Sequence, residues 1–177
     1  MLALRRVLFI LMGAALLLDS SRSGLVAVAQ VASRDRRPAS GLAIVVNKTN
    51  PVENLSLGDL RKIFMGQKSG WPHGTRIAVL MMDSGPERET MLREVYRMSE
   101  REYRNHFLRG LFAEDVRVVP RTLANPVVMR KFVFNAPGAI GYVLPRDIDP
   151  SVKVIRIDGL LPEDKDYKLQ VDARLSE

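Results

Sequence analysis

The chain has 177 residues, with 27 lysines and arginines, 20 aspartates and glutamates, and a formal net charge of +7. Basic and acidic residues are interspersed along the chain, so the excess charge favours an anionic small ligand or an acidic surface and gives little support to nucleic-acid binding. The sequence contains no cysteine and only two histidines. Neither a disulfide framework nor a metal site with zinc-ligand spacing is therefore predicted.

The N-terminus has the pattern of an export signal. Arg5 and Arg6 precede an apolar run at residues 7–18, and Ala-Val-Ala at residues 27–29 has the form of a signal-peptidase site. The run is shorter than the roughly 20 residues that span a bilayer. We therefore predict a cleaved signal peptide at residues 1–29 and a periplasmic location. Residues 30–41 contain few apolar side chains and are predicted to be a flexible lead-in.

Residues 42–177 alternate between strand and helix patterns and are predicted to form one domain. The predicted strands are residues 42–46, 77–82, 116–119, 139–143 and 152–157, with a further edge strand at 167–171. The predicted helices start at Ser56, Pro86, Ser99 and Pro126 and end near Gly66, Met98, Arg109 and Asn135. This order predicts an α/β domain with a largely parallel or mixed sheet flanked by helices, whose ligand sites lie at carboxyl ends of strands.

The turn after the predicted strand 77–82 is the strongest candidate for a functional site. Asp83, Ser84, Gly85 and Pro86 connect that strand to a helix. A turn of this kind leaves backbone N–H groups without intrahelical acceptors, at the positive end of the helix dipole, and such a place binds anions. The alternative is an ordinary helix cap, in which Ser84 accepts a backbone N–H and Pro86 occupies the first helical position.

Three strings carry a resemblance to a known family. They are VVNKTNPVENLSLGDLRKIFMGQKSGW, IAVLMMDSGPERETM and PGAIGYV, within residues 44–143. These strings resemble the phosphate-type substrate-binding proteins of ABC transporters, which have the type 2 periplasmic binding protein fold. The resemblance implies a single periplasmic-binding-protein-like lobe at residues 42–177. It also implies capture of phosphate or a similar oxyanion outside the cytoplasmic membrane, without catalysis or a cofactor, and a membrane transporter as partner.

The resemblance also implies which residues bind the ligand. In the family, a Ser-Gly-Thr turn at a helix start donates hydrogen bonds to phosphate, assisted by an arginine four residues before the serine. Ser84 and Gly85 match this turn, whereas Leu80 replaces the arginine and Pro86 replaces the threonine. Arg88 is the candidate substitute for the missing charge, and its alternative is a solvated charge on the helix surface.

Asn47 and Thr49 are two further candidates for ligand contact. They follow the first predicted strand and are expected to supply donors to the same crevice; alternatively, they are ordinary turn residues. No catalytic residue is predicted, because Ser84 lacks the surrounding G-x-S-x-G pattern of a nucleophile elbow.

The length of the chain bears on how a ligand is held. Family members enclose their ligand between two lobes, and this chain has room for about one. We therefore expect weak binding, closure by a homodimer, or closure by another protein. A second hypothesis is an extracytoplasmic interaction or sensory module that has lost its ligand and uses the charged helices at residues 87–109 as its partner face.

Overall fold

The computed structural model describes residues 40–113 and 115–171. The predicted signal peptide at residues 1–29 and residues 30–39 of the predicted lead-in lie outside these ranges. The last two residues of the predicted lead-in, Ser40–Gly41, form a strand that pairs antiparallel with Gln170–Val171. The prediction of a flexible lead-in up to residue 41 is wrong at these two positions, because their backbone is paired with a strand near the other end of the domain.

The main sheet contains five of the strands and is mixed. The strands in the described residues are β1 (Ser40–Gly41), β2 (Ala43–Asn47), β3 (Asn54–Leu55), β4 (Ala78–Met82), β5 (Arg121–Leu123), β6 (Ala139–Val143), β7 (Val152–Val154), β8 (Arg156–Ile157) and β9 (Gln170–Val171). The main sheet has the order β5-β4-β6-β2-β7. β4 is parallel to β5 and β6, and β2 is antiparallel to β6 and β7. This confirms the predicted α/β fold, and of the two predicted kinds of sheet, largely parallel or mixed, the structure has the mixed one.

In the described residues, four α-helices connect and cover these strands. They are α1 (Leu57–Phe64), α2 (Pro86–Thr90, continued by a π-helical segment at Met91–Tyr96), α3 (Glu100–Ala113) and α4 (Pro126–Asn135). The predicted capping residues start α1 and α3: Ser56 Oγ accepts the Asp59 N–H at 3.0 Å, and Ser99 Oγ accepts the Glu102 N–H at 3.3 Å. Among the residues described, none of these helices has the length and apolar character needed to cross a membrane.

Helices pack on both faces of the main sheet. In β6, the Tyr142 ring lies 6.2 Å from the ring of Phe64 in α1. Gly141 points to the opposite face, where a Cβ atom would overlap Met129 Sδ of α4. All residues of β2 and β6 are buried, so the sheet is the middle layer of the domain and the loops at its two ends are the places where a ligand can be reached.

Residues 116–119 were predicted to be a strand, and this is wrong. The parallel neighbour of β4 is instead Arg121–Leu123. The Arg117 and Val118 N–H groups donate to Gly66 O at 2.7 and 3.2 Å, so this segment bonds to the end of α1 rather than to a strand.

The predicted helices at residues 86–98 and 99–109 also differ from the structure. The first ends as a π-helical segment at Tyr96, because Arg97 adopts a left-handed conformation with φ of 54°. The second continues beyond Arg109 to Ala113. The break between the two helices lies where the capping residue Ser99 predicted it.

Candidate functional site

The Ser84–Gly85 turn lies at the carboxyl end of β4. The Asp83 N–H donates to Leu123 O of the neighbouring strand at 3.0 Å and so fixes the start of the turn. Gly85 then adopts φ of 95°, a value that favours glycine, and Pro86 begins α2. The turn therefore has the strand-to-helix geometry that the sequence predicted.

The start of α2 has no side-chain cap. The first hydrogen bond of the helix runs from the Glu89 N–H to Gly85 O at 3.1 Å. The N–H groups of Glu87 and Arg88 therefore have no acceptor within the helix. The starts of α1, α3 and α4 are capped by Ser56, Ser99 and Asn125. N–H groups without an acceptor in the helix suit an anion, although here they belong to Glu87 and Arg88, which are each only 8% exposed.

The Ser84 side chain is exposed and bonds within the turn. Its hydroxyl donates to Asp83 Oδ1 at 3.0 Å, and both residues are exposed. The ordinary capping role for Ser84 is not observed, because Gly85 is the residue at the capping position. The hydroxyl is accessible to a ligand, but a negative charge on Asp83 lies beside it.

Arg88 is a buried residue with its own anionic partner. Its Nε and Nη2 donate to the two carboxylate oxygens of Glu100 at 2.9 and 2.8 Å, and Nη1 donates to Met82 O at 2.6 Å. Its guanidinium carbon lies 4.9 Å from the centre of the Tyr103 ring. The alternative of a solvated surface charge is thus wrong, since Arg88 is only 8% exposed.

The ion pair shifts the titration of Glu100. The hydrogen bonds from Arg88 hold the pKa of the Glu100 carboxyl below its ordinary value, against the opposing effect of partial burial. Glu100 therefore carries a full negative charge at neutral pH beside the candidate turn. Burial raises the pKa of the Tyr103 phenol, so this ring packs under Arg88 as a neutral group.

A groove next to the turn carries both signs of charge. It has a volume of about 830 Å³ and is lined by the turn and by residues of α2, the π-helical segment and the start of α3. Its charged lining residues are Asp83, Arg88, Glu89, Arg93, Arg97 and Glu100, and its apolar ones include Leu92 and Met98. Three arginines and three carboxylates leave little net attraction for an anion.

Sequence reasoning missed the partners of Arg88 and the rest of the groove. Glu100, Arg93 and Arg97 were not predicted as site residues. The capping pattern at Ser99 does show that a helix starts afresh there, and hence that Glu100 lies in a first helical turn. No local pattern shows that this turn folds back onto Arg88.

Asn47 and Thr49 lie at the opposite end of the sheet from Ser84. Because β2 is antiparallel to β6 and β4 is parallel to β6, the carboxyl end of β2 is beside the amino end of β4. The expectation that Asn47 and Thr49 share a crevice with Ser84 is therefore wrong. Asn47 Nδ2 donates to Val133 O and Phe134 O at 2.8 and 2.6 Å, and thus holds the end of α4.

The two histidines do not form a metal centre. His106 Nε2 lies 3.2 Å from Met65 O, and the His73 ring stacks on Trp71 at 6.3 Å between ring centres. Within residues 40–113 and 115–171, no group of three or more histidines and carboxylates is placed to hold a metal ion.

Comparison with solved structures identifies the fold. An ABC-type phosphate transport receptor from Vibrio cholerae matches with a TM-score of 0.61 and 26% identity, over 75% of this chain and 54% of the receptor. The chain is a short structural relative of the phosphate-type substrate-binding proteins. This confirms the resemblance read from the sequence. The description of the Vibrio cholerae protein as a transport receptor agrees with the prediction of a non-catalytic protein.

Two further solved structures share the fold at lower identity. A protein described as a phosphate ABC transporter substrate-binding protein from Clostridium perfringens, solved with bound phosphate, has a TM-score of 0.56 and 23% identity, over 70% of this chain and 47% of that protein. PstS from Borrelia burgdorferi has a TM-score of 0.54 and 15% identity, over 75% of this chain and 55% of PstS. No protein-family model and no curated protein matches the chain. The chain spans about half the length of these substrate-binding proteins.

Proposed function

We propose that the protein is an exported, non-catalytic solute-binding module that binds phosphate or a similar oxyanion at the turn formed by residues 83–88. The observation that carries this proposal is the uncapped start of α2 at the carboxyl end of β4. Its open N–H groups and the Ser84 hydroxyl supply hydrogen-bond donors to an anion. The fold is shared with a phosphate transport receptor, which supports phosphate as the first ligand to test.

Two differences from the family turn predict weak binding. Leu80, in the position of the family arginine, is fully buried and has no donor. Pro86 lacks both a hydroxyl and an N–H. Since a hydrogen bond to a charged group contributes about 1.5–3 kcal/mol, the lost donors lower the affinity by orders of magnitude relative to a turn that keeps them.

The partner in this proposal is a membrane transporter. The relatives include a transport receptor and a transporter substrate-binding protein, which favours a transporter over a sensor protein. A periplasmic location follows from the predicted signal peptide at residues 1–29.

A homodimer is one way to cover the groove. Nucleic acid is not a proposed partner, because the groove carries as many carboxylates as arginines.

Thermal unfolding with and without phosphate tests the proposal. Phosphate is expected to raise the melting temperature of the wild-type protein, and Ser84→Ala is expected to weaken binding about three- to tenfold through the loss of one hydrogen bond. Pro86→Thr restores the family's hydroxyl and N–H and is expected to increase the shift.

Ser69→Ala is the matched control for this experiment. Ser69 lies before β4, at the end of that strand away from the turn, and its removal should leave the phosphate shift unchanged. The proposal fails if neither phosphate nor sulfate, up to about 100 mM, shifts the melting temperature of the wild type or of Pro86→Thr.

An interaction module is the second candidate function. The observation in its favour is on α3, where the side chains of Leu108 and Phe112 are 59% and 90% exposed. They are four residues apart and so lie on one helix face. If no oxyanion binds, and Phe112→Ser abolishes capture of a specific periplasmic protein that the wild type retains, this function replaces the first.

A further inference from the structure

Arg88 already holds an anion in the wall of the groove. Its guanidinium forms a two-point contact with the Glu100 carboxylate, at 2.9 and 2.8 Å, and a third bond with Met82 O. The side chain of Arg88 is only 10% exposed, and Tyr103 lies under its charged end. The guanidinium is therefore fixed in place, with its orientation set by the backbone and by an aromatic ring.

Glu100 is much more exposed than its partner. Its side chain is 46% exposed, and the bonds to Arg88 are the only hydrogen bonds of its carboxylate in the described part of the chain. It is the first residue of α3, where rotation of the side chain leaves the helix intact because the cap is formed by Ser99 and Glu102. The carboxylate is thus a half-exposed anion bound to a buried cation.

Glu100 and the candidate turn line the same groove. The planar guanidinium fork that binds a carboxylate at two points binds a phosphate in the same way. A guanidinium has five N–H donors, and three of those on Arg88 are used by Glu100 and Met82. Arg88 is the buried arginine of the groove, and its guanidinium is already paired with the Glu100 carboxylate. An oxyanion on the turn therefore faces a negative charge beside this arginine.

We propose that Glu100 is a built-in competitor for the oxyanion: its carboxylate occupies the Arg88 guanidinium and must be displaced when ligand binds at the Ser84–Gly85 turn. This inference rests on the proposed function of that turn. Glu100 then lowers the affinity of the site, and Arg88 becomes a ligand donor when Glu100 leaves it.

Glu100→Gln tests this inference by calorimetric titration with inorganic phosphate at constant ionic strength. Removing one negative charge a few ångströms from the ligand is expected to tighten phosphate binding about tenfold. Glu102→Gln is the matched control: it removes the same charge from the same helix turn, keeps the capping pattern, and does not touch Arg88. Its phosphate affinity should equal that of the wild type.

The titrations distinguish failure of the inference from failure of the proposed function. Phosphate binding that is tighter in Glu100→Gln than in the wild type supports the inference. Equal or weaker binding in Glu100→Gln, with phosphate bound by the wild type, overturns the inference and leaves the proposed function standing. Absence of binding in the wild type, Glu100→Gln and Pro86→Thr overturns both.

A second variant covers the case in which Glu100→Gln does not fold. Glu100→Asp keeps the charge but has a shorter side chain that reaches Arg88 less well, so phosphate should bind more tightly than to the wild type. An unchanged or weaker phosphate affinity in Glu100→Asp overturns the inference.

Discussion

At the scale of single residues, the polar side chains selected as ligand donors have partners inside the protein. Arg88 bonds to Glu100 and Met82, and Asn47 bonds to the last carbonyls of α4. A buried polar group without a partner is destabilising, so the fold must satisfy such residues first. Ser84, which is exposed and bonds only to Asp83, is different and is the better candidate for ligand contact.

Asn47→Ala is expected to destabilise the protein without affecting phosphate binding. The change removes two donors to the end of α4 and the acceptor for the Thr49 N–H and hydroxyl at 2.9 and 2.7 Å. The expected loss is about 2–4 kcal/mol of unfolding free energy, measured by urea denaturation. Thr49→Ala is the control, with a loss of less than about 1 kcal/mol. Retained stability with loss of the phosphate shift would instead assign Asn47 to a ligand site.

At the scale of secondary structure, local signals located the helices well and the strand partners poorly. Ser56, Ser99 and Pro126 mark helix starts because capping and the missing proline N–H act within a few residues. The segment at residues 116–119 has a strand-like composition, yet its backbone bonds go to Gly66. Which segment pairs with which depends on contacts between residues far apart in sequence, and β propensity alone does not report them.

The difference between local signals and long-range contacts also explains which features of the candidate site the sequence predicted and which it did not. The Ser84–Gly85 turn is a local feature and is found in the predicted place. The direction of β2 relative to β4 is not local, and it moves Asn47 and Thr49 to the other end of the sheet. The contact between Arg88 and Glu100 likewise requires the chain to reverse after the left-handed residue Arg97, which no pattern near Arg88 predicts.

Gly66→Ala tests how α1 holds the segment at residues 116–118. Gly66 has φ of 75°, and a Cβ there would overlap Val118 O. Gly74→Ala is the matched control, since Gly74 has φ of 90° but nothing within 4 Å of a new Cβ. Both variants are expected to lose about 1–2 kcal/mol of unfolding free energy through backbone strain. Gly66→Ala is expected to lose about 1–3 kcal/mol more, because its new Cβ overlaps Val118 O. Equal losses in urea denaturation would show that residues 116–118 move freely away from α1.

At the scale of the whole molecule, the described residues line the groove beside the candidate turn with α2, the π-helical segment and the start of α3. The phosphate-type binding proteins with the same fold are about twice as long as the matched part of this chain. A good small-molecule site buries about 70–90% of its ligand. Among the described residues, a turn at the carboxyl end of one strand contacts an ion from one side. The groove also has three carboxylates among its charged residues. Both properties lower the affinity for an oxyanion unless another surface covers the groove.

The affinity for phosphate is therefore expected to depend on the oligomeric state. A monomer should bind phosphate with a dissociation constant on the order of 1 mM, which corresponds to about −4 kcal/mol, compared with about −8 kcal/mol for micromolar binding. Calorimetric titration and sedimentation velocity on the same sample check this expectation. Titration with sodium chloride at equal ionic strength separates specific binding from screening. Micromolar binding by a sample that sediments as a monomer would contradict the reasoning from an open site, whereas affinity that rises with dimerisation would identify a second copy as the cover.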